Sequence, residues 1–228
     1  MAPYQKLKFI VKLLLRKEVY YSPQLTCTTK WSGNKNAGFF VLPGKINEGS
    51  IVYSFGVGED ISFDKDLIRD FNCTVYGFDP TPKSINFVEN QGHIEGFNFY
   101  PYGIAGHDGS MPFFLPENPN HVSGSSSNRT GNALIYVPVK KFSTIAKELG
   151  HKKIDVLKMD IEGSEYEVLG DIFESGVEIG QILIEFHHRF KDIGLKKTHE
   201  AISKLNKNGF WIAAISDGKE EYTFSKKP

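Results

Sequence analysis

The stretch IDVLKMDIEGSEYEVLGDIF, residues 154–173, decides the fold. It begins with strand-like alternation: Ile154, Val156, Lys158, Asp160 and Glu162 share one parity, and Leu157, Met159 and Ile161 share the other. A strand here gathers its charged side chains on one face and crowds them toward its carboxyl end. Gly163 and Ser164 interrupt the run. Tyr166, Val168, Leu169, Ile172 and Phe173 then follow at helical spacing. Charge at the hand-over from strand to helix is how open α/β sheets build their sites.

Working outward, strand and helix alternate. IVYSF (51–55) reads as a strand, followed by GVGED and a helix through about residue 71. TVYGF (74–78) is a second strand ending at Asp79-Pro80, with a helix over 81–91. FNFYPYGIA (97–105) reads as a third strand, GHDGSMPFFLP as a turn and short strand, and LIYVPVK (134–140) as extended chain. FSTIAKEL is helical, IDVLKMD is the fourth main strand and QILIEF (181–186) the fifth. A helix over 198–208 and the strands GFWIAAI (209–215) and EYTFS (221–225) close the sheet. This order predicts an α/β fold, a mostly parallel sheet with helices on both faces. Burial on both faces explains apolar runs such as IVYSF. It also makes Lys158 and Glu185 costly without partners. The short link before EYTFS, containing Asp217-Gly218, permits only an antiparallel partner.

The 228 residues suit one domain, 51–228, preceded by an N-terminal helix and irregular arm over 1–50 that carries Trp31, Phe39 and Phe40. Basic and acidic residues balance at 27 each, which gives no general affinity for nucleic acid. Cys27 and Cys73 form neither a metal spacing nor a disulfide framework, so a reducing, cytoplasmic setting is expected. YQKLKFIVKLLLRKEV (4–19) lacks the apolar core and cleavage site of a signal peptide, and no span is long and apolar enough to cross a bilayer. It reads first as a helix packed on the domain or on a second subunit of a homo-oligomer. Peripheral contact with an anionic membrane is the alternative.

YSFGVGED (53–60) is a strand ending in Gly-x-Gly that opens a helix. Such a turn lets backbone approach a ligand and aims free N–H groups at it, and Asp79 at the tip of the next strand is placed for ribose hydroxyls. A dinucleotide fingerprint needs a third glycine where Ile61 stands. That loss counts against an NAD(P)-dependent oxidoreductase and suits S-adenosylmethionine, which has no phosphate. A cofactor-binding module without catalysis remains a rival, as does a plain tight turn.

VYSFGVGEDISFD, VYGFDPTP, DVLKMDIEGSEYEVL and QILIEFHHRF together resemble the FkbM-type family of class I S-adenosylmethionine-dependent methyltransferases. The resemblance runs from about residue 50 to residue 225. It implies a Rossmann-like, seven-stranded sheet with an antiparallel last strand, and O-methylation of a hydroxyl on a sugar, glycan or other small metabolite. By position, it implies that Gly56 and Gly58, flanked by Phe55 and Glu59, lie against the cofactor's amino-acid tail. Asp79, with Pro80 beside it, would hold the ribose, and the stretch from Ile104 to Asp108 would border the adenine. Such enzymes usually carry an acidic residue where this chain has Ser54, and Glu59 or Asp60 are the candidates to replace it.

Transfer to a hydroxyl needs a base. Asp160 and Glu162 end strand four; Glu185, His187 and His188 end strand five. Alternation gives Glu185 and His187 one face and His188 the other. His187, near the ordinary histidine pKa, is the expected base, with Asp160 orienting it or the acceptor and Glu162 as a further catalytic candidate. Alternatively Asp160, Glu162 and His187 hold a divalent metal. HVSGSSSNRTGN (121–132) is a lid carrying Asn128 and Arg129, or a plain connection. Trp31 and Tyr102 are candidates to stack on a sugar or to pack.

Overall fold

The structure, a computed structural model, describes residues 9, 11–13, 15, 18–114, 134–190 and 193–227. The expected lid over 121–132 and most of the basic segment 4–19 lie outside the described residues. Two short strands come first, β1 (Lys30–Ser32) and β2 (Phe39–Val41), paired antiparallel. The alternating part follows: β3 (Ile51–Phe55), α1 (Ser62–Phe71), β4 (Thr74–Phe78), α2 (Pro82–Gln91) and β5 (Phe97–Tyr100). Next come three strands of a second sheet, β6 (Gly103–Ile104), β7 (Gly109–Phe114) and β8 (Leu134–Lys140). The chain closes with α3 (Phe142–Leu149), β9 (Lys153–Met159), α4 (Glu165–Glu174), β10 (Glu178–Glu185), α5 (Gly194–Lys207), β11 (Phe210–Ile215) and β12 (Glu221–Lys226).

The main sheet has seven strands in the order β11-β12-β10-β9-β3-β4-β5. β3, β4, β5, β9 and β10 run parallel to their neighbours in this group. β12 inserts antiparallel between β10 and β11, as its short link requires. α3, α4 and α5 contribute Phe142, Ile145, Leu169, Ile172, Ile202 and Leu205 to the larger core cluster. α1 and the arm supply a second cluster, in which Phe39, Val41, Ile46, Phe63 and Leu67 meet Val52, Val75, Val156 and Leu183. Both faces of the central strands are therefore dry.

Two expectations are corrected. FNFYPYGIA is not one strand: β5 ends at Tyr100, Tyr102 N–H turns back to the Tyr100 carbonyl at 2.9 Å, and β6 joins the other sheet. Pro101, which has no N–H to give a ladder, marks the break. Nor is the arm irregular throughout. Besides β1 and β2, Gln181 Oε1 accepts the Leu42 N–H at 2.9 Å, and Thr223 Oγ1 donates to the Phe40 carbonyl at 2.5 Å.

Candidate functional site

The parallel order reverses direction at β3, which has β9 on one side and β4 on the other, and such a switch point opens a crevice at the carboxyl edge. The three strand ends are tied there. Gly56 N–H donates to the Phe78 carbonyl at 2.9 Å and Asp160 N–H to the Phe55 carbonyl at 3.1 Å. Gly56 has φ +80°, and a Cβ on it would stand 1.7 Å from the Asp160 carbonyl oxygen. The residue is glycine because two strand ends touch at this point. Gly58, also at positive φ, donates its N–H to Asp79 Oδ2 at 2.9 Å.

Asp79 is buried. Its Oδ1 accepts the Thr81 N–H at 2.9 Å and the Thr81 hydroxyl at 2.7 Å. Three of a carboxylate's roughly four acceptor positions are thus used to lock the two turns together, leaving about one for a ligand. Lys158 is buried as well. Its ammonium donates to the Gly56 carbonyl at 2.8 Å and lies 5.7 Å from the centre of the Phe39 ring. Where the strand has Ser54 in place of an acidic residue, buried Asp64 of α1 lies beside it. Burial raises its carboxyl's pKa, while Lys158 and Ser54 pull it back.

These ends wall a cavity of about 340 Å³. Phe55, Gly56, Gly58 and Glu59 form one side, and Asp79, Pro80 and Ile104 another. All seven line this one cavity. Met111, Phe113, Val137 and Val139 add an apolar wall from the second sheet, and Asn36 and Ala37 reach in from the arm. No local motif marks those six. Their place depends on a sheet assembled from strands far apart in the chain.

Asp108 is a correction. It does not line the cavity; its carboxylate accepts the Lys141 N–H at 2.8 Å and the Thr144 hydroxyl at 2.9 Å at the start of α3. Those bonds, the Lys141 amide first, hold its pKa below the ordinary value. Asp60 lines the cavity but is engaged, accepting from the Ser62 N–H at 2.8 Å and from the Asn34 amide at 2.9 Å. Tyr102 is absent from the wall and packs against Phe78 and Tyr100.

On the β9 side of the glycine turn, Asp160 and Glu162 line the cavity, and His187 lies behind them. His187 Nε2 is 3.5 Å from Glu162 Oε2 and 3.8 Å from Asp160 Oδ1. Its Nδ1 is 3.0 Å from Oε1 of Glu165, a fully buried residue missed in the sequence reading. The same Glu165 oxygen accepts the Ile161 and Gly163 amides at 3.0 and 3.3 Å. Its signal was the acid directly after Gly-Ser, in the first turn of α4. Burial alone would discharge His187, but Glu165, Glu162 and Asp160 outweigh it and push its pKa up to about 10. The expectation of a histidine near its ordinary pKa is therefore corrected. Glu185 is pushed up to about 9, by burial first and then by the charge of Asp160. His188 points away, paired with buried Glu18 of the arm, as the alternation required.

A second cleft, about 990 Å³, opens beside the first and is lined by Trp31, Lys35, Asn36, Glu185, Arg189 and Glu221 among others. Asn36 borders both cavities. No described helix is long and apolar enough to cross a bilayer.

The family model described as a methyltransferase FkbM domain matches residues 44–212. Among curated proteins, the chain is similar to the human probable methyltransferase-like protein 24, 27% identical over 168 residues, and to the rat protein of the same description, 24% identical over 168 residues. Each match covers 73% of this chain and 39% of the relative, so the matched region spans well under half the relatives' length. Among solved structures it is similar to a fibrillarin/Nop5p complex, with a TM-score of 0.50 at 11% identity over 80% of this chain and 75% of that one. It is also similar to Aeropyrum pernix fibrillarin with bound S-adenosyl-L-methionine, with a TM-score of 0.44 at 10% identity over 79% of this chain and 66% of that one. At 11% identity the likeness to the fibrillarin/Nop5p complex is one of fold alone.

Proposed function

Because this chain belongs to the methyltransferase FkbM domain family, we propose that it transfers a methyl group from S-adenosylmethionine to a hydroxyl of a small acceptor, a sugar or a comparable metabolite. The observation that carries this reading is the crevice at the switch point. The glycine turn stands between Asp79 on its β4 side and the Asp160–Glu162 pair on its β9 side.

The residues present fit the cofactor. The slot between Pro80, Ile104 and the apolar wall from the second sheet suits a flat base, and a volume of about 340 Å³ is within the range of small-ligand sites. The acceptor position left on Asp79 suits one ribose hydroxyl. Gly58 and Glu59 suit the charged amino-acid tail. When bound, S-adenosylmethionine supplies an electrophilic methyl carbon, whose bonding electrons return to sulfur as the acceptor oxygen attacks. The chain's own residues do the rest: Asp160 and Glu162 face the cavity and take up the hydroxyl proton, and His187, behind them, holds both in position.

Calorimetry with S-adenosylhomocysteine tests the reading. Micromolar binding that is lost in Asp79→Ala supports it; no binding, or binding of a nicotinamide cofactor instead, overturns it. Asp160→Ala and His187→Ala lower turnover by roughly 10²-fold or more while cofactor affinity stays near normal. Full turnover in both would move the proton acceptor elsewhere.

A further inference from the structure

We propose that Asp160, Glu185 and His187 bind one divalent cation at the boundary between the two cavities, and that this cation holds the acceptor through two adjacent oxygens. The acceptor half of this inference rests on the methyl-transfer reading above; the cation half stands on geometry alone. The ligand set differs from the one expected from the sequence, since Glu185 takes the place of Glu162.

The three side chains each offer a ligand atom, and these atoms lie within 4.8 Å of one another. Donors at about 2.1 Å from a common ion stand up to about 4.2 Å apart, so closure by some tenths of an ångström suffices. His187 is already built for the task. It is 6% exposed, and its Nδ1 faces Glu165, which is itself held by two loop amides. A carboxylate behind one ring nitrogen is how proteins aim the other at a metal. That other nitrogen, Nε2, faces the carboxylates of Glu162 and Asp160 at 3.5 and 3.8 Å, longer than ordinary hydrogen bonds. Asp160, Glu162 and Glu165 thus place three carboxylates around one imidazole, with Glu185 alongside, and a divalent cation that takes the place of the His187 and Glu185 protons is offset by that negative charge.

The location supplies the purpose. Asp160 lines the cofactor cavity and Glu185 lines the outer cleft, so an ion between them faces the methyl donor on one side and the acceptor on the other. The cleft mixes Lys35 and Arg189 with Glu221 and the ring of Trp31, a lining suited to a neutral polyhydroxylated molecule with vicinal hydroxyls. Two carboxylates and one imidazole suit Mn²⁺ or Mg²⁺. Coordination lowers the hydroxyl's pKa. Its proton then passes to Glu162, which lines the cavity and is not in the ligand set. The oxygen gains the methyl group, and the electrons of the broken carbon–sulfur bond stay on sulfur.

The test is Mn²⁺ titration of the full chain, followed by the loss of free-ion electron paramagnetic resonance signal. One Mn²⁺ per chain is expected, bound at least tenfold more weakly by Glu185→Gln and His187→Gln, with turnover abolished by chelator and restored by Mn²⁺. Thermal unfolding checks that the variants fold, and Asp160→Asn replaces either one that does not. No binding by the wild-type chain at millimolar Mn²⁺, undiminished binding in the variants, or chelator-insensitive turnover overturns the cation site. S-adenosylhomocysteine binding in metal-free buffer is read separately. Its failure sinks the methyl-transfer reading while the Mn²⁺ titration still judges the ion.

Discussion

Lys158 sits in a strand buried on both faces because its ammonium has something to hold. A charged donor on the Gly56 carbonyl at 2.8 Å, with Asp64 buried nearby, offsets the cost of taking the charge out of water. Glu162 is the opposite case, a residue kept at a local cost. Its φ of +54° is a left-handed conformation that disfavours side chains by about 1 kcal/mol. Glu162→Gly should therefore leave thermal stability unchanged or raise it by up to about 1 kcal/mol, while lowering turnover at least tenfold. A clear loss of stability would show that the contact with His187 outweighs the backbone strain. Glu18 gives a pH dependence. Burial raises its carboxyl's pKa, but His188 and Arg189 together hold it below the ordinary value. A carboxyl lowered on folding stabilises the folded chain above its unfolded pKa, and that stability is lost as pH falls through the folded value. Melting points of wild type and Glu18→Gln should differ at neutral pH and converge below about pH 4.

Among the elements, what matters most is where strands end. β3 and β9 finish in contact, and Gly56 is the residue that lets them. Gly56→Ala would force a Cβ to 1.7 Å from the Asp160 carbonyl oxygen at φ +80°, so a loss above about 3 kcal/mol is expected, with S-adenosylhomocysteine affinity lost as well. Gly176→Ala is the control. It has φ +74° with no atom of the described residues within 4 Å of an added Cβ, so denaturant melts should register only the conformational cost, about 1 kcal/mol. Equal losses in the two variants would refute the contact argument. α4 acts at its first turn, where Glu165 secures the loop after β9 and turns the ring of His187.

Taken whole, the molecule does not divide at residue 50. Phe39, Val41 and Ile46 are 1%, 0% and 7% exposed within the cluster beneath β3, β4, β9 and β10. At roughly 1.5–3 kcal/mol each, their burial is comparable to the 5–15 kcal/mol stability of a typical domain. A chain lacking residues 1–50 is expected to show no cooperative thermal transition by circular dichroism. A sharp melt near that of the full chain would mean the arm merely decorates the fold. The arm also brings Asn36 to both cavities and Glu18 to His188 and Arg189.

Periodicity and punctuation were enough to read the alternating strands and helices, the antiparallel last strand, the glycine turn facing Asp79, and the separation of His187 from His188. Each follows from alternation, link length or the punctuation at strand ends, where backbone geometry sets direction. What needed the tertiary structure was the company those residues keep: Glu165 behind His187, Glu185 beside Asp160, Asp108 spent on a helix start, and a cavity wall from β7 and β8. Those pairings join positions far apart in sequence. Burial and charge act through space, so only the folded arrangement decides which carboxylates meet the imidazole and what proton affinity they leave it.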